Sequence, residues 1–333
     1  MLFLNKSPDR DFTVLNLTDP QMSTAEWADG HPVRQIMTYT LSTLLERVKP
    51  DLITVSGDIS WGKGNDEAYT CFAKLLHSYG IPWAVVWGNH DNDCNPPYIR
   101  RIAEQYAAYS TCLYEAGEEA LGNGNYVIAI RSGERVVEGL ILMDTHDSGD
   151  FTLLDRYCVP KTYSSYASLT PAQIDWYRGQ VAALTEMGCG DSTLIVHIPI
   201  YGFRQAFYAA TEETLRAPKA VSLADSYRGI GWKPEYAPHC FGVNREGIAS
   251  SEYDDGVLDA LVECHHTRHV IAGHEHVNNF SIPYRSVRMT YATKLGSGCY
   301  WDPDLNGGTV LVIGEEGVKE LRHEYVDVTH LIS

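Results

Sequence analysis

The chain has 333 residues, 44% of them hydrophobic and 21% charged, which places it among globular proteins able to bury a large core. Its 43 acidic residues against 26 basic ones give a formal charge of −17, which argues against general nucleic-acid or anionic-membrane binding, since both need clustered Lys and Arg. No apolar run reaches about 18 residues and the amino terminus has no secretory pattern. The eight cysteines are scattered without a C-x-x-C pair, so reduced thiols and a cytoplasmic location are expected.

Residues 12–18 read as a first strand ending in Asp19-Pro20-Gln21, where Pro stops the ladder and two metal-competent side chains flank it. Apolar residues at helical spacing over 33–48, closed by Pro50, predict a helix. A short apolar strand over 51–56 then runs into Gly57-Asp58, a second helix spans 65–79, and an apolar strand over 81–87 empties into Gly88-Asn89-His90-Asp91. This strand and helix alternation is that of a parallel sheet, which binds ligands at the carboxyl edge of its strands. Cys94 closely follows that edge.

A helix is expected near 98–108. Strand-like runs at 125–131 and 139–143, joined by a polar turn around Gly133, predict a hairpin that ends in Asp144-Thr145-His146-Asp147. Residues 148–168 are aromatic but without a period, and are expected to form a loop overhanging the site. Thr170-Pro171-Ala172-Gln173 has the form of an N-cap followed by Pro at the first helical position, opening a helix to about residue 187. A buried strand at 193–196 ends at His197. Residues 201–253, rich in Tyr, Gly and Pro, have the length of a lid or specificity insert, with one helix near 205–215. A helix at 255–264 and a strand at 269–272 lead to Gly273-His274-Glu275-His276, and strands at 288–292, 309–313 and 317–325 are expected to close a second sheet. With no repeat or linker, the expectation is one domain over 1–333, an α/β fold of two packed mixed β-sheets flanked by helices, with inserts at 148–168 and 201–253.

Five strand-end groups collect in this way: Asp19 with Gln21, Asp58, Asn89-His90-Asp91, His197, and His274 with His276. Alone, each is an ordinary turn or a lone histidine. Together, in a fixed order and all expected at one edge of one sheet, they form a donor set of carboxylate, amide oxygen and imidazole that suits Mn²⁺, Fe or Zn²⁺. Two metals about 3.5–4 Å apart need a shared carboxylate and can clamp a phosphoryl group. Asp58 is the natural bridge.

These blocks resemble the calcineurin-like metallophosphoesterases, whose ordered signature is D-x-H, G-D, G-N-H-[DE], a later H, and G-H-x-H. The resemblance spans nearly the whole chain. It implies a dinuclear-metal phosphoric ester hydrolase with the site at the strand carboxyl ends. Asp19, Asp58 and His276 would hold one metal, and Asp58, Asn89, His197 and His274 the other. It further implies that His90 contacts the scissile phosphate and assists the leaving group, that Asp91 orients His90, and that a metal-bound hydroxide attacks in line. Two positions depart from the family. Gln21 stands where the first block has His, a neutral, harder donor, and Trp61 stands where purple acid phosphatases place an iron-ligating Tyr, which argues against a ferric, coloured centre. The stretches Gly124-Asn125-Tyr126-Val127, Leu169-Thr170-Pro171-Ala172-Gln173 and Val196-His197-Ile198-Pro199 resemble the short intracellular branch related to those phosphatases, which has a phosphoprotein phosphatase among its members.

The leading expectation is therefore a phosphomonoesterase acting on a phosphorylated small molecule or a phosphoprotein. The alternatives are a phosphodiesterase for a nucleotide, cyclic nucleotide or lipid head group, and a non-catalytic scaffold. Candidate pocket residues are His146, Arg204 and Tyr201, with Asp144, Arg156 and Lys161 and the aromatic residues Tyr163, Tyr166, Phe203, Phe207 and Tyr208 as weaker candidates whose plainer role is packing or solvation.

Overall fold

The computed structural model describes residues 1–92, 96–154, 157–211 and 231–332. In chain order the elements are β1 (Leu2–Asn5), β2 (Phe12–Leu17), α1 (Pro32–Val48), β3 (Leu52–Ser56), α2 (Asp66–Ser78), β4 (Trp83–Val86), α3 (Asn89–Asn92) and α4 (Pro96–Ala107). There follow β5 (Tyr126–Ser132), β6 (Arg135–Leu142), β7 (Ser148–Leu154), β8 (Pro160–Tyr166), α5 (Pro171–Glu186), β9 (Ser192–Val196) and α6 (Gly202–Ala210). The chain closes with α7 (Val257–Cys264), β10 (Thr267–Ala272), β11 (Ser281–Tyr284), β12 (Val287–Tyr291), β13 (Gly307–Gly314) and β14 (Gly317–Tyr325).

Two mixed sheets result, a five-stranded one ordered β14-β13-β2-β3-β4 and a seven-stranded one ordered β1-β5-β6-β9-β10-β12-β11. Period-two alternation explains how they pack. Along β5, Ile128 and Ile130 join Leu15, Val55 and Val85 in a core shared with the other sheet and with α1, α2 and α4. Val127 and Ala129 face the opposite way, into a second core with Tyr177 of α5, Phe203 of α6 and Leu261 of α7. The layers are helix, sheet, sheet, helix. Among the described residues, no helix is long and apolar enough to cross a membrane, and the seven described cysteines are free thiols. Cys94 and Arg156 lie outside the described residues.

The fold corrects three expectations. The five strand-end groups do not share one sheet: Asp19, Asp58 and Asn89 follow β2, β3 and β4 of the five-stranded sheet, whereas His197 and His274 follow β9 and β10 of the seven-stranded one. The late strands likewise divide, β12 joining β10 while β13 pairs with β2, because apolar period reports burial and not the partner strand. Residues 148–168 are not a loop but an antiparallel ribbon, β7 paired with β8, whose largely exposed β8 has no buried face to impose an alternating pattern. Two short strands, β1 and β11, had no sequence signal strong enough to predict them.

Candidate metal centre

Strand register brings the donors together. In the five-stranded sheet Leu17 lies opposite Val55, and Ser56 opposite Val86, so β2, β3 and β4 end nearly level. In the seven-stranded sheet Val196 lies opposite Ala272, so His197 and Gly273 leave their strands together. Two glycines permit the close approach. Gly57 has φ +89, and a β-carbon there would sit 2.5 Å from His197 Nδ1. At Gly88 a β-carbon would overlap Asp58 Oδ1.

The side chains converge across the seam between the sheets. His197 Nε2 lies 3.0 Å from Asn89 Oδ1, 3.3 Å from Asp58 Oδ1 and 3.3 Å from His274 Nδ1. His276 Nε2 lies 3.6 Å from Asp19 Oδ1, and Gln21 Nε2 lies 3.4 Å from Asp58 Oδ2. Backbone carbonyls orient the rings: His197 Nδ1 donates to Ser56 O at 2.7 Å and His276 Nδ1 to Tyr300 O at 2.8 Å, so each Nε2 is turned toward the centre. Asp19 Oδ2 accepts from Thr18 Oγ1 at 2.6 Å and from the His274 amide at 2.9 Å, while the buried Lys294 donates to the Asp19 carbonyl.

Burial disfavours charge on each ionisable group here, and mutual attraction overrides it at Asp19, Asp58, His197 and His276. Burial opposes ionisation of Asp19, but His276, His197 and Lys294 hold its carboxyl well below the ordinary range. Burial raises Asp58 too, yet His197 outweighs it. Burial lowers His197, but Asp58 and Asp19 bring it up to about 9. Burial, reinforced by His197, brings His274 down to about 3 and leaves it neutral.

Asp19 Oδ1 and Gln21 Oε1 are buried and meet no hydrogen-bond partner among the described residues. Buried oxygens are nearly always satisfied, so these two call for a partner. The donor set therefore fits metal cations. Ligand atoms of Asp58, His197 and His274 lie within 4.8 Å of one another.

His90 borders the same cavity, its ring centroid 4.9 Å from that of Trp61 in an edge-on contact and its amide donating to Asp58 Oδ1 at 2.9 Å. Asp91 does not orient it. Asp91 Oδ1 accepts from the Ile59 and Ser60 amides (2.9 and 3.2 Å) and from Tyr69 Oη (2.9 Å), and Oδ2 accepts from the Gly88 amide (2.9 Å). Its carboxylate ties the Asp58 turn to the Gly88 turn.

The cavity measures about 520 Å³ and is lined by Arg204, Tyr166, Phe207 and Tyr208, all anticipated from sequence. It is also lined by Asn244, Glu246, Glu275 and Tyr300, which were not. Burial and the neighbouring Glu246 push Glu275 well above the carboxylate range, so this pair retains a proton. His146 and Tyr201 are not among the described lining residues. His146 Nε2 instead lies 2.9 Å from Gln173 Oε1 at the start of α5, and the Asp144 carboxylate accepts from the Asn123 amide at 2.7 Å and the His146 amide at 2.8 Å. Phe203 is buried in the second core, and Lys161 and Tyr163 lie on β8.

A profile of the calcineurin-like phosphoesterases matches residues 12–278. The chain is 24% identical over 286 residues to "Probable inactive purple acid phosphatase 14" of Arabidopsis thaliana, covering 78% of this chain and 62% of that protein. It is 23% identical over 298 residues to "Phosphatase DCR2" of Saccharomyces cerevisiae, covering 84% and 46%. It thus spans less than two thirds of either relative. In three dimensions it resembles a dimetal phosphatase from Danio rerio with a TM-score of 0.56 at 13% identity, covering 95% of this chain and 99% of that one.

Proposed function

Since the chain belongs to the calcineurin-like phosphoesterase family, we propose that it is a dinuclear-metal phosphoric ester hydrolase, and specifically a phosphomonoesterase. The observation that carries this reading is the pair of buried oxygens without a hydrogen bond among the described residues, Asp19 Oδ1 and Gln21 Oε1, within a converging set of imidazoles. Asp19, Gln21, Asp58 and His276 would hold one metal, and Asp58, Asn89, His197 and His274 the other, with Asp58 shared. When bound, such a pair supplies Lewis acidity toward phosphoryl oxygens and lowers the pKa of water. The metals are Mn, Fe or Zn by donor chemistry.

The chain's own groups do the rest. His90, fixed through its amide by Asp58 and against Trp61 through its ring, faces the cavity where an ester would lie, and passes a proton to the leaving oxygen. His197 and His276 keep their ring orientation through Ser56 O and Tyr300 O. The aromatic wall of the cavity admits an organic leaving group from a small phosphorylated molecule or the side chain of a phosphoprotein. Because donors come from both sheets, the whole span acts as one catalytic unit.

The test is a screen of aryl and alkyl phosphomonoesters and of phosphodiesters against protein reconstituted separately with Mn²⁺, Fe²⁺ and Zn²⁺. His90→Ala should lower turnover by about 10²–10⁴-fold with metal content retained, and Asp58→Ala should lose metal. Cleavage of diesters alone would replace the monoesterase reading with a phosphodiesterase. A second reading, a non-catalytic scaffold, draws on Gln21 and on the word "inactive" in the name of the Arabidopsis relative. Absence of bound transition metal on elemental analysis, with no loss of activity or stability on chelation, would favour it.

A further inference from the structure

The irregular segment 241–251 and the turn that follows β10 hold each other by reciprocal bonds. From the turn, Asn278 Oδ1 accepts from the amides of Arg245 (2.8 Å) and Glu246 (3.0 Å), and its Nδ2 donates to the carbonyls of Glu246 and Gly247 (both 3.3 Å). From the segment, Glu246 Oε1 accepts from the amides of His276 (2.7 Å) and Val277 (2.9 Å). Its other oxygen, Oε2, accepts from Tyr300 Oη at 2.8 Å. Glu246 is buried, and hydrogen bonds to a carboxylate are stronger than those to a neutral acceptor.

The Glu246 bonds bear on His276. Tyr300 O lies 2.8 Å from His276 Nδ1, and the Tyr300 ring stacks on the imidazole with centroids 4.1 Å apart and planes 21° from parallel. The carboxylate thus holds the His276 backbone directly and the ring by way of Tyr300. The other two histidines of the centre are held without it. His197 Nδ1 bonds to Ser56 O at 2.7 Å, and the His274 amide donates to Asp19 Oδ2 at 2.9 Å. Groups that orient a ligating histidine typically change metal affinity by about 10–100-fold when removed. We infer that Glu246 is a positioning residue for the metal site that His276 completes, through which the segment 241–251 sets the affinity of one metal and not of the other. The inference rests on the proposed hydrolase reading of the same centre.

The test is calorimetric titration of metal-free protein with Mn²⁺. Wild type should show two binding steps, and His276→Ala should abolish one of them. Glu246→Ala should weaken that same step by about 10–100-fold and leave the other unchanged. Glu246→Gln keeps the reach and an acceptor oxygen for the two amides, so it should restore the step to within about threefold of wild type. Adding Glu246→Ala to His276→Ala should leave the surviving step as it was, whereas a merely structural role would weaken it further. Both steps weakened alike in Glu246→Ala, neither weakened, or no restoration by Gln would overturn the inference. Should the Ala variant fail to fold, Glu246→Asp carries the test, since a side chain one methylene shorter cannot serve both the amides and Tyr300. The step lost in His276→Ala should then weaken by about tenfold, and wild-type affinity would overturn the inference. Wild type that takes up no metal fails the hydrolase reading and the inference together; two wild-type steps without selective loss fail the inference alone.

Discussion

Asp91 provides the sharpest test of how the site is built. Its buried carboxylate accepts four hydrogen bonds, from the amides of Ile59, Ser60 and Gly88 and from Tyr69 Oη, all between 2.9 and 3.2 Å. Asp91→Ala leaves these four donors without an acceptor in a dry interior. At about 1–3 kcal/mol for each unsatisfied group, discounted because the contacts are not additive and water can enter the space, the loss should be about 3–5 kcal/mol. Asp91→Asn can keep its carbonyl oxygen toward Ile59, Ser60 and Tyr69 but turns an NH₂ toward the Gly88 amide, so about 1–3 kcal/mol is expected. Because the tie runs from the Asp58 turn to Gly88, metal affinity should fall in the same order. Denaturant unfolding of the two variants, read beside metal content, measures both effects. If Asp91→Ala kept wild-type stability and metal while losing turnover alone, the tie would be wrong and the original expectation, that Asp91 orients His90, would return.

Glu138 is a buried acid on β6 whose Oε1 accepts from Thr193 Oγ1 at 2.9 Å while Oε2 has no partner among the described residues, and burial raises it to about 8. A raised acid contributes its stability below the unfolded value of about 4.5 and loses it as pH climbs toward 8, so Glu138→Gln should match wild type near pH 4 and exceed it by about 3 kcal/mol at pH 7. Unfolding curves for both proteins at several pH values give the difference, and a difference that does not change with pH would refute the assignment. Gln21→His should tighten the weaker metal step at least about tenfold, since imidazole is the better donor for these metals; calorimetric titration giving unchanged affinity and stoichiometry would remove Gln21 from the ligand set. Chelation should lower unfolding free energy by about 2.7 kcal/mol for each metal present at 100 times its dissociation constant, and a melting temperature indifferent to chelator would contradict a centre that spans the two sheets.

Much of the site was legible because its donors follow apolar strands through glycines. Gly57-Asp58 and Gly88-Asn89-His90 mark places where a strand must end at once and a side chain must approach another backbone, and the structure accounts for both glycines by what a β-carbon would strike. What sequence could not reveal is where partners sit. The period of β9 and β10 says that they are buried but not that they belong to a different sheet from β2. Asp91, adjacent to His90 in sequence, points instead to Ile59 and Tyr69, contacts more than twenty residues away. Asn244 and Glu246 come from an irregular segment whose shape is set by Asn278 and Asn279, so no local pattern announces them. The ribbon of β7 and β8 escaped notice for the opposite reason, being exposed where a strand normally alternates.

The division of donors between the sheets explains why the backbone is strained where the proposed ligands are. Asp19, Gln21, Asp58 and His274 all have positive φ, at 53, 43, 51 and 79 degrees. Each such non-glycine residue costs about 1–3 kcal/mol, and persists only where the surroundings over-determine it. Here they do. The Asp19 amide donates to Gly57 O at 3.1 Å and the Gln21 amide to Asp58 O at 3.0 Å, locking the first two strand ends to each other. The Gly273 amide donates to His197 O at 3.1 Å, locking the other two, and the His274 amide reaches across the seam to Asp19 Oδ2 at 2.9 Å. Carboxylates and amides from one sheet are thus held against imidazoles from the other by bonds that need no ligand. Donors held by bonds of the protein's own need less of the metal's binding free energy to order them.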